Sequence, residues 1–94
     1  MKVTVKFFTT LREIVGKPQE QIEFYEAVTI NELLQQLGRR YGEKYTRYVY
    51  NEKGNVRGHL QFLINGKSIA TEQGLKTKLR ENDILAILPP VGGG

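Results

Sequence analysis

The sequence predicts an α+β fold in which one main helix covers one face of a mixed sheet. Three features support this: an opening that alternates apolar with polar residues, one amphipathic helix behind a capping sequence, and a final strand that is apolar throughout. A wholly apolar strand belongs in the middle of its sheet. The order strand, strand, helix, strand, short strand, strand then predicts a ubiquitin-like β-grasp roll with parallel first and last strands at its centre, with a ferredoxin-like sandwich as the alternative.

The composition is that of a small soluble protein and excludes several kinds of site. The chain has 94 residues, no cysteine and one histidine, His59. Disulfides, thiolate metal sites and thiol nucleophiles are therefore excluded, and so is any site that needs two imidazoles. No stretch resembles a signal peptide or approaches the ~20 apolar residues of a membrane helix. We expect a cytoplasmic β-grasp domain over residues 1–90 and a flexible glycine-rich tail over residues 91–94.

Two strands are predicted in the first part of the chain. Apolar residues at every second position predict strands over residues 2–8 and 21–25, joined by a connection over residues 9–18 that contains Gly16 and Pro18. The two strands should form an antiparallel pair. The acidic residues around the second strand are interpreted as its solvated edge: Glu20, Glu23 and Glu26.

The main helix is the clearest element. Thr29 and Glu32 form a capping box, and apolar residues follow at helical spacing as far as Tyr41. Gly42 should end this helix. Residues 43–49 are predicted to form a short second helix, in which Glu43 and Arg47 are spaced as an ion pair.

Turn signals divide the remainder. Residues 51–55 have turn chemistry, and alternation predicts a strand over residues 60–64. Asn65-Gly66 predicts a tight hairpin to a short returning strand over residues 68–70. The apolar strand over residues 84–88 ends at two prolines, which cannot donate to a ladder.

The excess positive charge lies in one central segment. Residues 38–58 hold six basic and two acidic side chains, and this difference equals the net charge of +4 of the whole chain. The segment has the basic side chains Arg39, Arg40, Lys44, Arg47, Lys53 and Arg57 and the tyrosines Tyr41, Tyr45, Tyr48 and Tyr50. The favoured interpretation is that the tyrosines pack a small satellite helix while the basic side chains are solvated. The alternatives are a nucleic-acid surface, an acidic protein partner and an anionic pterin. His59 is interpreted as structural.

The end of the chain is the most unusual feature. Glycines are the residues best able to pass through a narrow channel and approach a nucleotide, and the prolines hold the base of such a tail extended. A frayed terminus is the simpler interpretation. The functional one is that a partner adenylates the terminal carboxylate with ATP. The segment runs Pro89, Pro90, Val91, Gly92, Gly93, Gly94.

Both ends of the sequence resemble the MoaD family, the small subunit of molybdopterin synthase. The opening match is Phe7-Phe8-x-x-Leu11-Arg12-Glu13-Ile14-Val15-Gly16. The closing match is Asn82-Asp83-Ile84-Leu85-Ala86-Ile87-Leu88-Pro89-Pro90-Val91-Gly92-Gly93-Gly94, where the family has a Gly-Asp turn, an apolar strand and Pro-Pro-Val-x-Gly-Gly. The helix and hairpin between them also fall where the family has them. The departures are Gly92, where Ala, Ser or Thr is common, and Asn82 in place of glycine.

The resemblance implies a sulfur carrier. In that family a ubiquitin-activating-like adenylyltransferase uses ATP to activate the last glycine, here Gly94, which becomes a thiocarboxylate. This glycine, paired with Gly93, enters the large subunit of molybdopterin synthase and donates sulfur to the pterin precursor of the molybdenum or tungsten cofactor. Leu88 and Phe8 correspond to apolar partner contacts. The resemblance implies no bound cofactor or metal and no catalysis by the isolated chain.

Related branches leave other functions open. A protein modifier would join its terminal glycine to lysines of target proteins, and another carrier would serve tRNA thiolation. Thiamine carriers are the least similar, because they are usually shorter and lack the Pro-Pro pair. A small nucleic-acid-binding module is a further alternative, although nucleic acid is not the expected partner.

Overall fold

The described part of the chain folds as a five-stranded mixed sheet accompanied by helices. The computed structural model describes residues 1–69 and 74–89. The sheet order is β2-β1-β5-β3-β4, with β1 and β5 parallel and the other neighbours antiparallel. This confirms the predicted β-grasp roll. The elements are β1 (Lys2–Phe7), α1 (Thr9–Val15), β2 (Gln19–Glu23), α2 (Ile30–Tyr41), α3 (Glu43–Val49), β3 (Gln61–Ile64), β4 (Lys67–Ser68) and β5 (Ile84–Leu88).

Strand β5 lies at the centre of the sheet, as its apolar sequence predicts. It pairs with β1 on one side and with β3 on the other. Leu85 and Ile87 point into the core and are fully buried. The opposite face is more open, because Ile84 is 38% exposed and Leu88 is half-buried. Strand β5 is therefore apolar throughout because it lies at the centre of the sheet, and not because both of its faces are covered.

The connection between β1 and β2 holds a helix that the sequence analysis did not predict. Helix α1 buries Leu11 and ends at Gly16, whose φ is +86°. It has no side-chain N-cap and no acidic residue in its first turn, so the usual starting signals are missing. The predicted antiparallel pairing of β1 with β2 is confirmed, with β2 over Gln19–Glu23 rather than residues 21–25.

The predicted capping box starts α2. The backbone N–H of Thr29 donates to Glu32 Oε1 at 2.8 Å, and the backbone N–H of Glu32 donates to Thr29 Oγ1 at 3.1 Å. Gly42 ends the helix with φ +83°, and α3 follows at once over the predicted residues. Tyr45 on α3 is fully buried and donates its hydroxyl to the carbonyl of Leu34 at 2.8 Å. The two helices are thus joined through their buried faces.

A polar cluster fixes the hairpin to the beginning of β5. Asn65 and Gly66 have φ values of +51° and +84°, as a tight Asn-Gly turn requires. Asn65 Nδ2 donates to Asp83 Oδ1 at 2.9 Å, and the backbone N–H of Ile84 donates to Asn65 Oδ1 at 2.9 Å. Asn82 has φ +67°, so it fills the left-handed position of the glycine it replaces. The returning strand is shorter than predicted at Lys67–Ser68, and residue 70 lies outside the described residues.

Glu20 corrects one interpretation, because it is not part of the solvated edge. It pairs with Val5, whose side chain faces the helices, and its own side chain is only 8% exposed. The carboxylate accepts hydrogen bonds from Lys17 Nζ at 2.5 Å, from Arg40 Nη1 and from the hydroxyl of Tyr41. Glu23 and Glu26 are exposed, as expected. An inward carboxylate on an edge strand also discourages pairing with another chain.

The Thr29→Ala variant tests the capping box. Loss of the side-chain acceptor should lower the free energy of unfolding by about 1 kcal/mol, because a backbone N–H of α2 loses its partner. Urea denaturation followed by circular dichroism measures it. Glu32→Gln is the matched control, since glutamine can still accept from Thr29 and should cost less. Equal losses in the two variants would contradict this account.

The Glu20→Gln variant tests the buried cluster and its pH dependence. Burial raises the pKa of Glu20, but hydrogen bonds from Lys17 and Tyr41 and the charge of Arg40 outweigh it and leave the pKa lowered. The carboxylate therefore stabilises the fold above its unfolded-state pKa, and this contribution is lost as pH falls through the lowered folded-state value. We expect a loss of about 1–3 kcal/mol at neutral pH that shrinks in acid.

Denaturation of both proteins across the acid range measures this difference. Glu23→Gln is the control, because Glu23 is 79% exposed and lies 4.0 Å from Lys2 Nζ, so it should change stability little. A pH-independent effect of Glu20→Gln would show that the charge does not stabilise the fold.

Candidate functional site

The candidate site is the end of the sheet from which the glycine-rich segment departs. Phe7 and Ile87 form the last pair between β1 and β5, and Phe8 and Leu88 each come one position later. Both are half-buried, and strand alternation places both on the face opposite the helices. Pro89, also half-buried, is the last described residue. The predicted tail residues Pro90, Val91, Gly92, Gly93 and Gly94 lie outside the described residues, so their roles stay predictions.

An open apolar strip leads to this end of the sheet. Ile84, Ala86 and Leu88 alternate on the outer face of β5, and Leu63 of β3 lies opposite Ala86. On the other side, Thr4 and Lys6 of β1 are the paired neighbours of Ile84 and Ala86. The strip is therefore apolar along its axis and polar at its β1 margin. Exposed apolar surface of this kind is typical of protein–protein contact.

Leu88 and Phe8 were predicted as partner contacts from the sequence, but the rest of the strip was not. Ile84, Ala86 and Leu63 were assigned to strands without regard to which face they occupy. The alternation of side chains along a strand could have revealed them. Leu85 and Ile87 are buried, so the residues between and beside them must face away from the core. Leu88 and Phe8 are therefore part of a longer apolar surface that also includes Ile84, Ala86 and Leu63.

The base of the site is rigid because β5 is paired on both sides. Beyond the ladders, the backbone N–H of Thr4 donates to the carbonyl of Asp83 at 3.0 Å, and Asp83 Oδ2 accepts from the backbone N–H of Arg80 at 2.7 Å. The start of the strand is thereby fixed, and Leu85 and Ile87 hold the rest of it in the core. A segment that leaves after Leu88 therefore begins from a fixed point.

The tyrosines of the basic segment pack against the domain, which confirms the part of the favoured interpretation that concerns them. Tyr45 is fully buried, and burial raises the pKa of its hydroxyl, which remains a donor. Tyr41 packs edge-on against Phe7, with ring centroids 6.0 Å apart. Tyr48 and Tyr50 are half-buried against the core cluster. These rings serve packing rather than stacking with bases.

Several basic side chains of the same segment are engaged within the chain. Arg47 pairs with Glu43 at 2.6 Å, as predicted, and Arg57 Nε donates to the carbonyl of Arg47 at 3.2 Å, near the C-terminal end of α3. Arg40 belongs to the Glu20 cluster. Lys44 and Lys53 are exposed.

The remaining polar candidates do not assemble a catalytic centre within the described ranges. His59 is exposed just before β3, so it does not pack in the core as a structural histidine would. Among residues 1–69 and 74–89, no three His, Asp or Glu side chains gather closely enough to hold a metal ion. Over the same part of the chain, no helix is both long enough and apolar enough to cross a membrane.

Comparison with known proteins yields similar sequences and a similar structure. Small archaeal modifier protein 3 of Haloferax volcanii is 31% identical over 94 residues, which is 100% of both proteins. The molybdopterin synthase sulfur carrier subunit of Drosophila melanogaster is 29% identical over 94 residues, which is 100% of this chain and 92% of that protein. The crystal structure of SAMP1 from Haloferax volcanii is 25% identical, with a TM-score of 0.83 and coverage of 100% of both chains.

A family model described as the ThiS family matches residues 5–94. The match therefore includes the β-grasp sheet except for the first residues of β1, the outer strip of β5 and the glycine-rich end. The chain belongs to the ThiS family, whose members are ubiquitin-like sulfur carriers and modifiers.

Proposed function

We propose that this protein is a sulfur carrier whose Gly94 carboxyl group is activated and converted into a thiocarboxylate for molybdopterin biosynthesis. The observation that carries the proposal is the position of β5. It is the central strand, it is paired on both sides, and the sequence continues from its end as Pro-Pro-Val-Gly-Gly-Gly. The glycine-rich segment therefore follows directly from a strand that is held on both sides.

The proposed chemistry needs an enzyme partner, because a carboxylate is a poor electrophile. A carboxylate oxygen of Gly94 attacks the α-phosphorus of ATP, which forms an acyl-adenylate and releases pyrophosphate. A hydrosulfide ion then attacks the acyl carbon, AMP leaves, and loss of the S–H proton gives the thiocarboxylate. The carrier supplies the acyl group and its presentation, and the partner supplies the nucleotide site. Glycines without Cβ permit close approach of the tail backbone to the nucleotide.

The acceptor proposed for the sulfur is the pterin precursor, bound by a large subunit of molybdopterin synthase. Support comes from the Drosophila relative named as a molybdopterin synthase sulfur carrier subunit, which the chain matches over its whole length. The Pro-Pro-Val-x-Gly-Gly ending supports the same assignment.

Protein modification is the second candidate, and a specific observation favours it. The relative that is 31% identical over 100% of both proteins is named as a small archaeal modifier protein. In this case a lysine amine of a target protein, rather than sulfur, would attack the activated Gly94 and form an isopeptide bond. The two candidates share the adenylation step and differ only in the nucleophile.

The outer strip of β5 is the proposed docking surface for the adenylating enzyme. A partner that receives the tail must also contact the surface beside it, and Leu88 and Phe8 are half-buried apolar side chains at the end of the sheet where the tail begins. A half-buried Leu that a partner covers completely is a suitable anchor. The polar margin formed by Thr4 and Lys6 would then lie at the rim of the contact.

The intact mass of the protein recovered from its own cells tests the carrier assignment. We expect a population heavier by the mass difference between sulfur and oxygen, mapped by fragmentation to Gly94. Isolation without strong reductant or base preserves the thiocarboxylate. Larger conjugates linked through Gly94 to lysines, with no sulfur-bearing population, would favour the modifier instead.

Removal of Gly93 and Gly94 tests whether the tail carries the chemistry. The truncated protein should keep its thermal stability, because the last strand ends at Leu88, and should lose both thiocarboxylation and conjugation, because both reactions take place on the Gly94 carboxyl group. Sulfur transfer at the normal rate by the truncated protein would refute the proposal. Restoring the two glycines provides the control for nonspecific effects.

The Leu88→Ala variant tests the docking surface. Truncation of an anchor should cost about 2 kcal/mol of binding to the adenylating enzyme, roughly a thirtyfold loss of affinity. Titration calorimetry measures it, and Gly94 thiocarboxylation should fall in parallel at limiting enzyme. Tyr25→Ala is the control, because Tyr25 is fully exposed and follows the end of β2 that pairs with Lys2, outside the strip. Equal losses in both variants would place the anchor elsewhere.

A further inference from the structure

Lys6 is a half-buried cation at the margin of the outer strip of β5. It shares the outer face of β1 with Lys2 and Thr4, because the alternate positions of that strand are buried. Its paired neighbours are Gln19 on β2 and Ala86 on β5. The side chain therefore lies between the polar half of the outer face and the apolar strip.

The fold itself does not account for the charge of Lys6. Lysine is depleted within strands and protects the edges of sheets, but β1 is paired on both sides. Lys2 has an explanation, because Glu23 lies opposite it with Oε1 at 4.0 Å from Nζ. The neighbours of Lys6 are uncharged, and none of the ion pairs within the described residues includes it.

A shallow notch adjoins Lys6 where Ala86 interrupts the larger side chains of the strip. Ile84 and Leu88 flank Ala86 on its own strand, and Leu63 lies opposite on β3. Lys6 forms the fourth side. Ala86 is half-buried rather than buried, so the notch is open on the outer face of the sheet.

The walls of the notch select an acidic side chain. Three walls are apolar and suit methylene groups, while the fourth carries an ammonium group at its tip. A partner that covers the strip removes water from the Lys6 ammonium, which is costly unless an opposite charge replaces that water. A carboxylate replaces it through a charge-assisted hydrogen bond, whereas a lysine or arginine would be repelled.

We propose that Lys6 is a specificity-determining residue of the docking surface, and that the adenylating enzyme inserts an acidic side chain into the notch over Ala86 to pair with it. The inference rests on the proposed function, because it refines how the enzyme that receives the tail is recognised. Apolar contacts alone accept many apolar surfaces. A cation within the strip rejects those that bring no carboxylate, so it adds selectivity to the anchor at Leu88.

Titration calorimetry of the full chain with the adenylating enzyme tests the charge. Lys6→Met keeps the length of the side chain and should weaken binding about tenfold or more, the loss expected for one hydrogen bond to a charged group. Lys6→Glu should weaken it further, and Lys6→Arg should keep most of the affinity. Lys2→Met is the matched control, because Lys2 lies on the same face of β1 at the opposite end. Equal affinity of Lys6→Met and the unmodified sequence would overturn the proposal.

The melting temperature of the free variants separates recognition from a structural role. Lys6→Met should not lower it, because no ion pair within the described residues is lost. A clearly lower melting temperature with unchanged affinity would assign Lys6 to the stability of the sheet and would overturn the proposal.

Zero-length crosslinking of the complex with a carbodiimide locates the acidic partner. The reagent joins an amine to a carboxylate without a spacer, so it reports only groups in direct contact. We expect a link from Lys6 to an Asp or Glu of the enzyme, mapped by fragmentation, and none from Lys2. A link from Lys6 to Gly94 of the same chain, in place of one to the enzyme, would overturn the proposal.

Intact masses of variants recovered from cells separate failure of this inference from failure of the proposed function. Lys6→Glu should carry less modified Gly94 than Lys2→Glu when the enzyme is limiting. Full modification of Lys6→Glu beside a modified unaltered protein would refute the inference alone. An unaltered protein with neither thiocarboxylate nor conjugates would refute the proposed function and the inference with it.

Discussion

The insertion of β5 between β1 and β3 is the constraint on which the rest of the structure depends. The strand contributes Leu85 and Ile87 to the core and closes the ladder between two otherwise separate strand pairs. Its position also requires a crossover that the helical layer spans, because parallel neighbours cannot be joined by a tight turn. The hairpin turn and Asp83 then hold the beginning of the strand, so that its other end is free to present the residues beyond Leu88.

The helical layer is stabilised from two directions. At its beginning, α2 has its capping box, and the backbone N–H of Asn31 donates a hydrogen bond to the carbonyl of Leu75. At its end, Arg40 and Tyr41 reach the carboxylate of Glu20 on the edge strand. The basic, tyrosine-rich part of the sequence is largely accounted for by this second set of contacts and by the packing of Tyr45. Its composition reflects construction of the helical layer more than recognition of a ligand.

The sequence predicted the elements whose signals are local. The capping box of α2, the Asn-Gly turn and the central strand all arise from short-range patterns and were confirmed. Helix α1 was missed because it has no side-chain cap and lies between Gly16 and a strand end. Glu20 was misinterpreted because a glutamate is expected to face solvent. Its position two residues before Ile22 on the same strand shows that it faces inward. The outer strip of β5 was only partly predicted, because Ile84 and Ala86 are placed on the outer face only once Leu85 and Ile87 are known to be buried.

The parallel pairing of β1 with β5 has a mechanical consequence. A force applied through the glycine-rich end acts along β5, whose hydrogen bonds to β1 and β3 run across the direction of pull. All of these hydrogen bonds then carry the load at the same time, which is a shear geometry. In a hairpin pulled apart at its open end, by contrast, the hydrogen bonds break one after another. Forced unfolding is governed by the height of the unfolding barrier rather than by equilibrium stability. A protein of this topology is therefore suited to be attached, carried and withdrawn by its tail while its body stays folded.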